Sequence, residues 1–136
     1  MCAKTDRGLP EDIEAYLKIL QGSWASPAIL LFGSQAGDSP SRWSDYDVLV
    51  IAEDLPQEFW ERQAVLWKDK PACVDVIGLT PQEVRDIIHR GLILDALLQG
   101  KPLAGDASEF KELALAHVRE HGLVRTEVGY VHAPTS

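Results

Sequence analysis

Apolar residues along the chain switch between helical and strand-like spacing, and the switches divide it into short elements. Ile13, Tyr16, Leu17 and Leu20 fall on one face of a helix that Pro10 can open, that Glu11 and Asp12 suit at its positive end, and that Gly22 stops. Ala28-Ile29-Leu30-Leu31-Phe32 is an unbroken apolar run closed by Gly33, the signature of a buried strand. A polar, turn-rich loop from Ser34 to Ser44 follows, with Gly37, Asp38, Ser39 and Pro40. Tyr46 to Ala52, rich in Val and Ile, predicts a second strand, and Pro56 to Lys70 a helix with Phe59, Trp60, Leu66 and Trp67 available for packing. Ala72 to Ile77 predicts a third strand.

The third strand leads to the clearest local signal in the chain, Thr80-Pro81-Gln82-Glu83. This is a capping box with proline at the first helical position, followed by Val84, Ile87 and Ile88 on the buried face. Helix is expected again over Leu92 to Leu98, a short edge strand over Lys101 to Ala104, and a last helix from Ala107 to His121. Asp106 with Glu109 opens that helix and Gly122 ends it. The expected organisation is one domain over residues 1–122 and a tail, Leu123 to Ser136, for which a strand, a partner-binding arm and disorder all fit.

Composition agrees with a packed globule: 46% of the residues are hydrophobic and 25% charged. A chain of 136 residues buries roughly two-thirds of its unfolded surface, enough for a core without covalent staples. Thirteen basic residues against twenty-one acidic ones, a net charge of −8, argue against a nucleic-acid groove, which needs Lys and Arg on the phosphates. A nucleotide stays compatible, because a metal ion can supply positive charge locally. Cys2 and Cys73 lie too far apart for a metal knuckle, and with no leader-like start or membrane-spanning run a cytoplasmic location is expected.

The chemistry concentrates in Ser44-Asp45-Tyr46-Asp47-Val48-Leu49-Val50-Ile51. Residues two apart in a strand share a face, so Asp45 and Asp47 project together. Two carboxylates side by side in an apolar sheet repel, and a hard divalent cation that prefers oxygen ligands relieves them. Asp75, within Cys73-Val74-Asp75-Val76-Ile77, brings a third acid from the next strand. An isolated Asp-x-Asp at a strand start more often caps a turn or stays solvated. The second acid inside an apolar strand and the Gly33-Ser34 turn, whose backbone can approach a phosphate closely, favour a site. That reading requires Asp75 to lie on the same side of the sheet as Asp45 and Asp47.

Taken together, Gly33-Ser34, ten intervening residues, Asp45-x-Asp47 and the later Asp75 resemble the polymerase-β-like nucleotidyltransferase superfamily, closely over Ile29 to Leu79. The length and the strings Gly-Ser-Gln-Ala and Ser-Asp-Tyr-Asp-Val-Leu-Val look most like its minimal members, which work beside helical HEPN-type partners in toxin–antitoxin pairs. The resemblance implies an α/β (α+β) nucleotidyltransferase fold, a mixed sheet flanked by helices. It implies ATP or another nucleoside triphosphate as substrate and two Mg²⁺ ions on Asp45, Asp47 and Asp75, with Asp75 helping to activate an acceptor hydroxyl. Gly33 and Ser34 would hold the β- and γ-phosphates, with Ser44 and Arg42 as further nucleotide-binding candidates. The reaction implied is transfer of a nucleoside monophosphate, AMP from ATP, to a hydroxyl of a protein or small molecule, the chain acting as antitoxin to a HEPN-type toxin.

One departure stands out. Minimal members commonly carry Arg-Gly after the alanine matching Ala36, whereas Gly37 and Asp38 stand here, and Arg42 is the available substitute cation. This departure and the acidic charge favour an alternative, a non-catalytic module that neutralises a basic partner by contact. No membrane partner is expected, and self-association stays open. His117-Val118-Arg119-Glu120-His121 spells an inverted zinc-protease pattern, but it ends a helix and His117 falls on the Phe110, Leu113, Ala114 stripe, which suits packing better. Trp43 is expected to anchor its loop, Trp60 and Trp67 to share a helix face in core or interface, and Lys68 and Lys70 to be surface charges.

Overall fold

A computed structural model of the chain describes residues 9–32, 46–126 and 129–132. Helix α1 (Glu11–Ser23) starts where the Pro10 carbonyl accepts from Ile13 and Glu14, each at 3.1 Å. Strands β1 (Ala28–Phe32), β2 (Tyr46–Ile51), β3 (Val74–Leu79) and β4 (Lys101–Ala104) form one mixed sheet in the order β3-β2-β1-β4. β1 runs antiparallel to β2 and β4, and β2 runs parallel to β3. Helix α2 (Phe59–Trp67) makes the crossover between the parallel pair, as parallel strands require. Helices α3 (Pro81–Asp86), α4 (Gly91–Gln99) and α5 (Ser108–His121) follow, and the chain closes in an antiparallel hairpin of β5 (Leu123–Thr126) and β6 (Gly129–His132).

The alternation of side chains along each strand explains the layers. Ile29, Leu31, Val48, Val50, Val74 and Val76 face α1 and α2, where Ile13, Leu17, Leu20 and Leu66 complete one core. Leu30, Phe32, Leu49 and Ile51 face the other way, against Val84, Leu94, Leu97 and Phe110. Because both faces are covered, β1 is buried at all five positions, and its sequence is accordingly an unbroken apolar run. Each such side chain contributes about 1.5–3 kcal/mol on burial. The Tyr16 hydroxyl, inside the first core, donates to the Leu66 carbonyl, and burial raises its pKa well above the ordinary tyrosine value.

Local chemistry sets the element ends. The capping box forms as expected: Thr80 accepts from the Glu83 N–H, and Glu83 accepts from the Thr80 N–H at 2.8 Å. The helix it opens is short, however. Ile87 turns out of helical geometry and Arg90 is extended, so a break separates α3 from α4. The helix expected over Pro56 to Lys70 is trimmed to Phe59–Trp67, because the Glu58 carboxylate caps the Glu61 N–H at 2.7 Å and Asp69 adopts φ 62°. The strand expected over Ala72 to Ile77 is displaced to Val74–Leu79. Gly122 closes α5 in the left-handed conformation, at φ 58°. Between β4 and α5, Gly105 is needed for space as well as φ, since a Cβ there would lie 2.3 Å from the Pro27 carbonyl oxygen.

Two basic side chains fasten the α2–β3 unit. Arg62, buried on the Leu66 side of α2, donates to the Pro56 carbonyl at 2.7 Å, the Gly78 carbonyl at 3.2 Å and Glu83 at 2.7 Å. Lys70 is no plain surface charge: its ammonium donates to the Val74 carbonyl at 2.5 Å and the Pro71 carbonyl at 3.2 Å. Arg125 of the closing hairpin pairs with Asp95 of α4 at 2.7 Å. Among the described residues no helix is long and apolar enough to cross a membrane.

Candidate active site

Asp47 and Asp75 are direct register partners in the parallel β2–β3 pair. Each is the second residue of its strand, at the end where β1 finishes, and Phe32, the last residue of β1, is itself the partner of Asp47. The side-chain alternation assigns both acids to the sheet face carrying Leu49, Ile51, Ile77 and Leu79. Asp47 is half-buried and Asp75 exposed, because this end of the sheet emerges from beneath the helices that cover Leu49 and Ile77.

Adjacent strands lie about 4.8 Å apart, so the two carboxylates are held as close neighbours by the backbone ladder. Like charges at roughly that separation repel by about 1 kcal/mol in water, and by more wherever water is thinned out. A pair of oxygen-rich anionic side chains fixed side by side fits a hard divalent cation, and fits it better than any soft-metal chemistry. Asp45, Gly33, Ser34, Arg42 and Ser44 lie outside the described residues, as do Gly37, Asp38 and Trp43. Among the described residues no group of three His, Cys, Asp or Glu gathers in metal-binding geometry. Two members of the expected acidic trio are therefore placed together, and the third adjoins the strand start that places Asp47.

The surroundings of the acids come from the opposite face of the sheet and from the turn before β3. Tyr46, facing α1, donates its N–H to the Cys73 carbonyl at 2.8 Å. Burial raises the pKa of its hydroxyl, with Cys73 and Asp12 of α1 adding to the rise, so the acidic start of α1 lies near this end of the sheet. Lys70, through Val74 and Pro71, fixes the turn that delivers Asp75. Neither Arg62 nor Lys70 stood out in the sequence reading. The usable signal for Arg62 was its place four residues before Leu66, a charge on the apolar stripe of α2.

Other candidates fall elsewhere. His117 and His121 stack at the end of α5 with ring centroids 4.4 Å apart. His117 is half-buried, and its pKa is lowered by burial and by its histidine neighbours. His132 contacts the His121 carbonyl at 2.9 Å, which makes this a helix-end packing group. A cavity of about 340 Å³ bordered by Ser26, Ile51, Glu53 and Arg85 sits at the far end of β2 from Asp47. Another of about 280 Å³ lies beside Leu30, Pro102, Asp106 and Lys111, at the β4 border.

Residues 13–104, well over half the chain, match the family model of the nucleotidyltransferase domain. No curated protein matches the sequence. The fold is similar to that of a chain in a crystal structure of a mutant MntA–HpeT toxin–antitoxin, at 19% identity over 82% of this chain and 90% of that one, with a TM-score of 0.59. It is also similar to a chain of a toxin–antitoxin crystallised with AMP-PNP, at 21% identity over 82% and 90%, with a TM-score of 0.56. A third likeness is to a chain of a tri-AMPylated Shewanella oneidensis HEPN toxin in complex with MNT antitoxin, at 20% identity over 82% and 87%, with a TM-score of 0.55. At these identities the likeness establishes a shared fold, a mixed sheet flanked by helices.

Proposed function

The chain belongs to the nucleotidyltransferase domain family, and from that premise we propose that it is a Mg²⁺-dependent transferase moving AMP from ATP to a hydroxyl of a protein partner, as the antitoxin of a HEPN-type toxin. The observation that carries the reading is the parallel register of Asp47 against Asp75. Asp45, Asp47 and Asp75 would hold two Mg²⁺ ions, and the paired oxygen ligands fit that ion. When bound, the metals supply charge neutralisation on the attacking and leaving oxygens.

The chain's own groups do the rest. Asp75, the more exposed acid, would draw the proton from the acceptor hydroxyl. That oxygen bonds to the α-phosphorus as the bond to pyrophosphate breaks. Gly33 and Ser34, directly after Phe32, would cradle the β- and γ-phosphates beside Asp47, with Ser44 and Arg42 completing the nucleotide contacts. Support for AMP and for a HEPN-type partner comes from the structural relatives, one holding AMP-PNP and another a tri-AMPylated HEPN toxin.

The test is incubation of α-labelled ATP, Mg²⁺ and a candidate helical partner with the protein. The partner should take up label, EDTA should prevent it, and Asp47→Asn with Asp75→Asn should abolish it. Label uptake that survives the double substitution would sink the catalytic reading. The second reading, neutralisation by contact alone, is favoured by the exposed aromatic side chains of α2. It predicts a partner that is silenced equally well by the double variant and without ATP.

A further inference from the structure

The sequence leaves Phe59, Trp60, Leu66 and Trp67 of α2 available for packing, in core or interface, and only one edge of the helix is committed to the core. Leu66 and Arg62 point inward, whereas Phe59 is 56% exposed, Trp60 68% and Trp67 51% among the described residues. Phe59 and Trp60 meet edge to face with centroids 5.0 Å apart, so they form one preassembled apolar surface. Trp60 and Trp67 are two turns apart and align along the helix. Gln63 lies one turn beyond Trp60 on the same flank, and its Oε1 is buried without a hydrogen-bond partner among the described residues.

The charges around this surface select its occupant. Glu58 and Glu61 stand at the Phe59–Trp60 end. At the Trp67 end Lys68 and Asp69 offset one another, and Lys70 is engaged with backbone carbonyls. The chain as a whole carries −8. A second copy meeting this face would bring together two chains that each carry −8, which electrostatics opposes.

The geometry points to the Phe59–Trp60–Trp67 face of α2 as the docking surface for a basic, amphipathic helix of the protein acceptor. The inference rests on the transferase reading for its purpose. α2 covers the sheet face opposite the one carrying Asp47 and Asp75. Trp67 ends the helix just before β3 begins, however, so a partner seated on α2 lies at the same end of the sheet and reaches the acids around the β3 border. Docking on a helix packed against β3 gives the acceptor a fixed approach without using the acidic face itself.

A lysine–leucine amphipathic peptide and its glutamate–leucine counterpart test this directly, with tryptophan emission and peptide anisotropy as readouts. The basic peptide should bind with a blue shift, weaken with salt, and lose about tenfold or more in affinity to Trp60→Ser with Trp67→Ser. The acidic peptide should not bind. Absence of binding, or equal binding by the double variant, overturns the proposal. So does concentration-dependent self-association of the wild-type chain that the variant abolishes, since a second copy is then the occupant. Thermal stabilisation by Mg²⁺-ATP, measured on both proteins, separates the two readings. If ATP stabilises neither while the peptide still discriminates between them, the docking face stands and the transferase reading falls.

Discussion

The two ends of the β2–β3 pair handle negative charge in opposite ways. Where the strands begin, the register sets Asp47 beside Asp75, one acid facing another. Where β3 ends, Glu83 accepts from the Thr80 N–H and from Arg62, itself anchored on the Pro56 and Gly78 carbonyls. Burial would raise the Glu83 carboxyl, but the Thr80 N–H and the Arg62 guanidinium together hold it below its ordinary value. The acid at the far end closes a structural joint. The acids at the near end are the ones proposed to hold a cation, and the contrast sets charge built into a structural joint against charge proposed for a ligand.

Substitutions at the two ends should therefore fail in different ways. Asp47→Asn with Asp75→Asn is expected to lower label transfer by roughly a hundred- to a thousandfold, the loss of several kcal/mol of charge stabilisation. Its melting temperature should stay level or rise, because a repulsion is removed. A large drop in stability would show these acids to be structural and erase the contrast. Arg62→Met, which keeps the buried stem but leaves the Gly78 and Pro56 carbonyls and Glu83 without their donor, should cost about 2–3 kcal/mol in denaturant unfolding. It should leave nucleotide binding close to wild type.

Acid titration is a finer probe of the same joint. Glu83 has a lowered folded pKa, so its stabilising contribution is complete above the ordinary carboxylate value of 4.5 and is lost as pH falls through the lowered folded value. Glu83→Gln should flatten that part of the stability–pH curve, by less than the Arg62 effect because the side chain is 40% exposed. An unchanged curve would assign the acid sensitivity elsewhere. Smallest of all, Trp60→Ser with Trp67→Ser should shift folding stability by only about 0.5 kcal/mol, as exposed positions do. A loss of several kcal/mol would show that the aromatic face belongs to the core.

The sheet was readable in the chain because burial on both faces leaves an unbroken apolar run, as in β1 and the body of β2. The cap at Thr80 was readable because its chemistry is local. The pairing of Asp47 with Asp75 was only partly so: period two predicts which side a residue faces, but the register that sets residue 47 against residue 75 is a long-range fact. The apolar content of α2 left core and interface open. Trp60 and Trp67 have the hydrophobicity of core residues, and only the placement of Leu66 and Arg62 shows that the core claims another edge of the helix. Lys70 looked like any exposed lysine, since nothing in a linear string reveals which carbonyl an ammonium will reach.

β3 forms one border of the sheet, and a border strand is a template on which foreign strands can grow. The Cys73 and Leu79 carbonyls accept from Tyr46 of β2 and from Ala52 just after it, so the alternate carbonyls, including Val74 and Gly78, point outward. Those two are the ones occupied by Lys70 and Arg62. A stray chain approaching this border meets the Val74 and Gly78 carbonyls already taken by basic side chains, which makes this edge a poorer template for an added strand.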